Sequence, residues 1–186
     1  MRPRKKPAPA ACGVLRRVAS GGGVLIGNAD LTAMSSSNGF LHSRRYKWIN
    51  IYPPFLGAGI RVLHKQSDDY TIKVQLKLTR LNLNVVGTHF GGSLYAMCDP
   101  FFMLLLLEHL GRDYIVWDKA ASIQFLKPGR GTVTATFHIS PEQIAELRAQ
   151  TDREGKIEPL FNVDVIDEQG EVIAKVEKRL YLRRKQ

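Results

Sequence analysis

Between residues 70 and 78 the chain reads YTIKVQLKL, in which Tyr70, Ile72, Val74, Leu76 and Leu78 alternate with Thr71, Lys73, Gln75 and Lys77. A strict apolar–polar period of two predicts a strand with one buried face. The alternation returns at Val133, Ala135, Phe137 and Ile139, separated by threonines and His138, and a strand ahead of it leads in through Lys127-Pro128-Gly129. Residues 91–110 follow another rule, with apolar side chains on almost every face up to Gly111. That predicts a helix enclosed by protein and stopped at the glycine. Upstream, KWINIYPPFLGAGIRVL carries aromatics at 46, 48, 52 and 55 around a Pro-Pro pair that no helix interior tolerates. A short helical piece, a turn at Gly57 or Gly59 and a strand from Ile60 are expected there. Ser140, Pro141 and early acids predict a short surface helix over 141–150. Two last strands, about 156–167 and 171–183, meet at Asp167-Glu168-Gln169-Gly170. An antiparallel sheet has a single apolar face to cover, so the pattern is satisfied by an α+β domain whose sheet wraps around one long central apolar helix.

Residues 1–45 show neither period and are rich in Pro, Ala, Gly and Ser. They are expected to be a disordered or weakly ordered basic extension, with the folded domain spanning 46–186. The run GGGVLIG is mis-spaced for a dinucleotide-binding turn, and Arg16 and Arg17 interrupt any secretory signal. An organellar transit peptide, or an upstream extension of a reading frame that starts at Met34, fits the first 33 residues. Of the net charge of +10, the first 45 residues carry +7, which leaves the domain only mildly basic. With no groove-reading helix or stacking motif beside that charge, a nucleic-acid partner is not expected. Two cysteines, Cys12 and Cys98, argue for a reducing compartment rather than a disulfide framework. The strongest apolar run, Phe101–Leu107, falls well short of the roughly twenty residues of a membrane span, so a soluble, cytoplasmic protein with no membrane partner is expected. No histidines, cysteines or acids stand at metal-ligand spacing, and neither a metal nor a cofactor is implied.

The chemistry concentrates in NVVGTHFGGSLYAMCDP, residues 84–100. The order of elements, NVVGTHFGG, the helical Asp99 and ASIQFLKPGRGTVTAT together resemble the hotdog fold of acyl-coenzyme A thioesterases, in the phenylacetate-pathway-like branch. YPPF, GTHFGGSLYAM followed by DP, and WDK are similar to an uncharacterised bacterial subgroup of that branch, the DUF4442 type. The resemblance covers roughly residues 46–183. It implies hydrolysis of acyl-coenzyme A thioesters by a homodimer or a dimer of dimers, a homotetramer, without a cofactor.

Thioester hydrolysis needs a donor for the developing oxyanion and a carboxylate that activates water or attacks the carbonyl. The first N–H groups of a helix are free to donate. In the family a backbone N–H of the glycine pair serves, which corresponds to Gly91, with Gly92 beside it. The glycines also suit tight packing of the loop on the sheet. Asp99 is the matching carboxylate, eight positions on, about 12 Å along a helix. One thioester cannot reach both within a chain, so Gly91 of one subunit is expected to face Asp99 of another. Alternatively, Asp99 marks a kink at Pro100 and caps the second half-helix.

Asn84 matches a family asparagine that holds the substrate or the water. Where many relatives have histidine before the glycine pair this chain has Phe90, a candidate substrate contact, with His89 one residue earlier as a possible site member or a structural hydrogen-bonding residue. Met103 stands where some relatives carry a hydroxyl. Asp118 is either a site acid or the ion-pair partner of Lys119. Lys127 and Arg130 flank the turn where relatives receive coenzyme A phosphates, and fixed cations suit that nucleotide. Two other functions remain open: a non-catalytic acyl- or acyl-coenzyme A-binding hotdog protein, consistent with Phe90 and Met103, and a hydroxyacyl-thioester dehydratase.

Overall fold

The computed structural model describes residues 48–63 and 70–186. The extension expected over residues 1–45 lies outside the described residues. Helix α1, Pro53–Ala58, begins at the Pro-Pro pair rather than being broken by it. A helix's first turn has no intrahelical acceptor for its N–H groups, so prolines lose nothing there. Gly59 ends α1 at φ 79°, and the amide nitrogen of Asn82 lies only 2.7 Å from where a Cβ would stand.

Strands β1 (Ile60–Leu63) and β2 (Thr71–Lys77) follow, then helices α2 (Gly91–Ala96) and α3 (Phe101–Leu110). Strands β3 (Tyr114–Phe125) and β4 (Thr132–His138) precede helix α4 (Pro141–Glu154), and β5 (Lys156–Ile157), β6 (Leu160–Asp167) and β7 (Val172–Arg184) close the chain. The strands pair antiparallel in the order β1-β2-β4-β6-β7-β3, with short β5 beside β7. The segment 156–167, expected as one strand, is divided by Glu158 and Pro159 into β5 and β6. Helix α4 runs four residues beyond expectation and ends at Gly155; within the added turn Thr151 is buried, its hydroxyl donating to Leu147 O. Ser140 and Gln143 form a reciprocal capping box at its start.

The inward positions of β2 and β4 match the alternation: Ile72, Val74, Leu76, Val133, Ala135 and Phe137 are all buried. They pack on α3, whose Phe101 is fully buried, with ring centroids 6.0 Å from Phe55 and 5.0 Å from Phe137. Phe101→Ala would leave a cavity at the centre of this cluster. It should lower stability by about 3–5 kcal/mol. Urea titration should then show a lower midpoint at an unchanged slope.

The central helix is two helices. The turn at Met97–Pro100 separates them, as proline's lost donor and its constraint on the preceding residue require. Asp99 marks this kink but does not cap α3, which has no side-chain cap. Together Gly91–Leu110 reach the length and hydropathy of a membrane span, more than Phe101–Leu107 alone suggested. Half of that window is buried inside the protein, so this is the core helix of the domain.

Strand β3 lies at one edge of the sheet, with β7 on its inner side. From Ala120 to Phe125 its residues are exposed or half-buried, although an isolated sheet covers one face of such a strand.

Candidate functional site

The loop from Leu78 to Phe90 brings the start of NVVGTHFGG against the β3–β4 turn. Asn84 fastens this loop. Its Oδ1 accepts from the N–H groups of Val86 and Thr88 at 3.0 Å each, and its Nδ2 donates to Thr88 Oγ1 and His89 O. His89, 3% exposed, ties the loop to the turn: its N–H donates to Gly129 O at 3.0 Å and its Nε2 lies 3.2 Å from Gly131 O. Its Nδ1 is buried without a hydrogen-bond partner. Burial lowers the His89 pKa, and the bond to Gly131 only partly offsets this.

The folded state therefore holds imidazole neutral, and the sign of the pH effect follows. Between the unfolded value of 6.5 and the lower folded one, the unfolded chain takes up a proton that the native one refuses. Stability present above pH 6.5 should be lost as pH falls through the folded value, with a slope of at most about 1.4 kcal/mol per pH unit. Urea titrations from pH 7.5 to 5 should show this loss, and His89→Gln should flatten it.

Asn84, His89, Gly91, Lys127 and Arg130 line one cleft of about 610 Å³, closed along one side by Phe125. Gly91 is the first residue of α2, and neither it nor Gly92 donates to a backbone carbonyl among the described residues. A Cβ on Gly91 would come within 2.9 Å of the Phe125 ring, and one on Gly92 would strike the Phe90 ring at 2.4 Å. Both glycines thus allow close approach by aromatic rings. Phe90 itself is 57% exposed. Lys127 pairs with Glu171, just ahead of β7, and both Lys127 and Arg130 are exposed.

Asp99 is not part of this cleft. It sits in the turn between α2 and α3, half exposed, with Oδ1 accepting from Lys178 Nζ at 2.8 Å and from the Tyr95 hydroxyl at 3.2 Å. Lys178 is completely buried, and its Nζ also lies 3.2 Å from Asp118 Oδ1 and 5.4 Å from the Tyr95 ring centroid. The contact to Asp118 is an ion pair without hydrogen-bond alignment, since that oxygen has no hydrogen-bond partner. The expected Asp118–Lys119 pair does not form: a bulge falls at Lys119, Asp118 faces Lys178, and Lys119 pairs with Glu158. Burial raises the Asp118 pKa, opposed by Lys178. For Lys178 burial acts downward, but the hydrogen bond to Asp99 and the charges of Asp118 and Asp99 outweigh it, and the ammonium is held above its usual value. The Cys98 thiol beside them is pushed up to about 12 by burial, which removes it as a nucleophile at neutral pH.

Lys178, Tyr95 and Phe125 had not been singled out from the sequence. A signal for Lys178 exists: in β7 the inward residues are Val176, Lys178, Leu180 and Leu182, so a lysine occupies an apolar parity position.

An antiparallel sheet packed on a two-part apolar helix is the hotdog architecture. The chain belongs to the family described as a domain of unknown function, DUF4442, whose model matches residues 45–182. No curated protein matches it by sequence. Among solved structures it is similar to a Pseudomonas aeruginosa protein of unknown function described as "Probable Thioesterase", at 20% identity and TM-score 0.67, over 78% of this chain and 95% of that one. A Haemophilus influenzae thioesterase aligns at 13% identity and TM-score 0.55, over 74% and 87%. The Escherichia coli PaaI protein of the phenylacetic acid degradation operon aligns at 16% and 0.51, over 78% and 94%. At these identities the likeness is one of fold.

Proposed function

We propose that the protein hydrolyses acyl-coenzyme A thioesters at a site completed by two subunits. The observation that carries this is the cleft, which gathers the free N–H of Gly91, the cations Lys127 and Arg130 and the ring of Phe125 while leaving Asp99 outside it. The thioester carbonyl oxygen accepts from Gly91 N–H, and the nucleotide phosphates meet the basic turn. Asp99 of the partner takes a proton from water, and the water oxygen bonds to the carbonyl carbon as the C=O electron pair moves to the oxygen. Collapse of that intermediate breaks the C–S bond. The departing thiolate takes the proton back from Asp99.

The partner docks along β3, whose exposed half ends at Phe125 beside Gly91. An edge strand of this length left uncovered is a pairing surface. A binding protein without catalysis is the second reading, favoured by the exposed ring of Phe90 and by Met103, which packs against the core and brings no hydroxyl. The two separate in one assay: thiol release from a panel of aliphatic and aromatic acyl-coenzyme A esters. Turnover with at least one ester is expected. Tight binding of esters with no thiol release would establish the second reading instead.

A further inference from the structure

Lysine is rarely fully buried, and taking an ammonium from water carries a desolvation penalty that an ion pair does not reliably return. Apolar residues usually serve stability as well at such positions. Lys178 nevertheless takes the inward place between Val176 and Leu180. Its surroundings are specific: Asp99 from the interhelical turn, Tyr95 from α2 and Asp118 from the β3 bulge converge on it, and Cys98 lies nearby. Both donors to Asp99, Lys178 Nζ and Tyr95 hydroxyl, address the same oxygen, Oδ1. The other oxygen, Oδ2, has no hydrogen bond among the described residues, and the side chain is 50% exposed.

We infer that Lys178 is a positioning residue: with Tyr95 it fixes Oδ1 of Asp99 and turns Oδ2 toward the attacking water. This rests on the hydrolase reading above. A lysine held protonated cannot itself act as base or nucleophile. Its effect therefore passes through Asp99. Misplacing a catalytic group by about 1 Å costs on the order of a hundredfold in rate.

The test is a double-mutant cycle. Lys178→Met should lower kcat roughly ten- to a hundredfold, with KM and the Kd of a non-hydrolysable thioether analogue of acyl-coenzyme A changed by less than about twofold. In an Asp99→Asn background the same substitution should cost less than about twofold, because the group it positions is already gone. A full additional loss in that background, or a large rise in KM and Kd, would overturn the inference in favour of a merely structural lysine. If circular dichroism shows Lys178→Met unfolded, Tyr95→Phe replaces it in the same cycle, with a loss of roughly three- to tenfold expected. Crystal structures of wild type and variant read positioning without activity. An Asp99 carboxylate that stays in place in the variant overturns the inference whether or not the protein is an enzyme. A carboxylate displaced in the variant, with a wild type inactive on every ester, removes the hydrolase reading and supports the clamp.

Discussion

Asp99→Asn is expected to lower kcat for thioester hydrolysis by roughly 10²- to 10⁴-fold, the range set by removing a general base. The substitution keeps the shape of the side chain and an oxygen that still accepts from Tyr95 and Lys178, so the interhelical turn should survive. Asp118 remains within 3.2 Å of the ammonium, and Lys178 is not left unpaired. Far-UV circular dichroism should therefore match wild type while thiol release collapses. Activity that persists would remove Asp99 from the chemistry.

The second large effect is expected at Gly91→Pro. A helix's first position is where proline fits, and the preceding Phe90 already has φ −64° and ψ 126°, the extended geometry that a following proline demands. What the substitution deletes is the N–H group. Its added carbons press on the Phe125 ring, which is 56% exposed and free to swing outward. Losing one oxyanion donor should cost roughly 10²- to 10³-fold in kcat.

The two variants also test the shared site together. Mixed under conditions that exchange subunits, they should recover about a quarter of wild-type activity, since half the dimers become mixed and each holds one intact site. No recovery, from variants that each assemble normally, would place both groups in one chain and refute the geometry.

The strands were legible wherever one face is buried and the other wet, because burial then writes a period of two into β2 and β4. Pro100 announced the break in the central helix, since proline's chemistry is local. Long-range pairing was not legible. Lys178 and Asp99 are separated by 79 positions, and Asp118 meets Lys178 of β7 rather than the lysine beside it in sequence. Asn84 shows a subtler limit. Its residue type fits a substrate-holding role, yet in the fold its side chain makes four hydrogen bonds within its own loop. A sequence names the donors and acceptors but not which partners they choose.

The turn between β3 and β4 is crowded at its centre and open at its flanks. A Cβ at Gly129 would come within 3.0 Å of His89 Cδ2 and 3.1 Å of Ile173 Cγ2, both parts of the packed framework. Lys127 and Arg130 on either side are exposed. Selection can therefore retune the charge offered to a ligand here almost independently of folding, provided the glycine stays. Descendants of this protein could change what they bind long before they change shape.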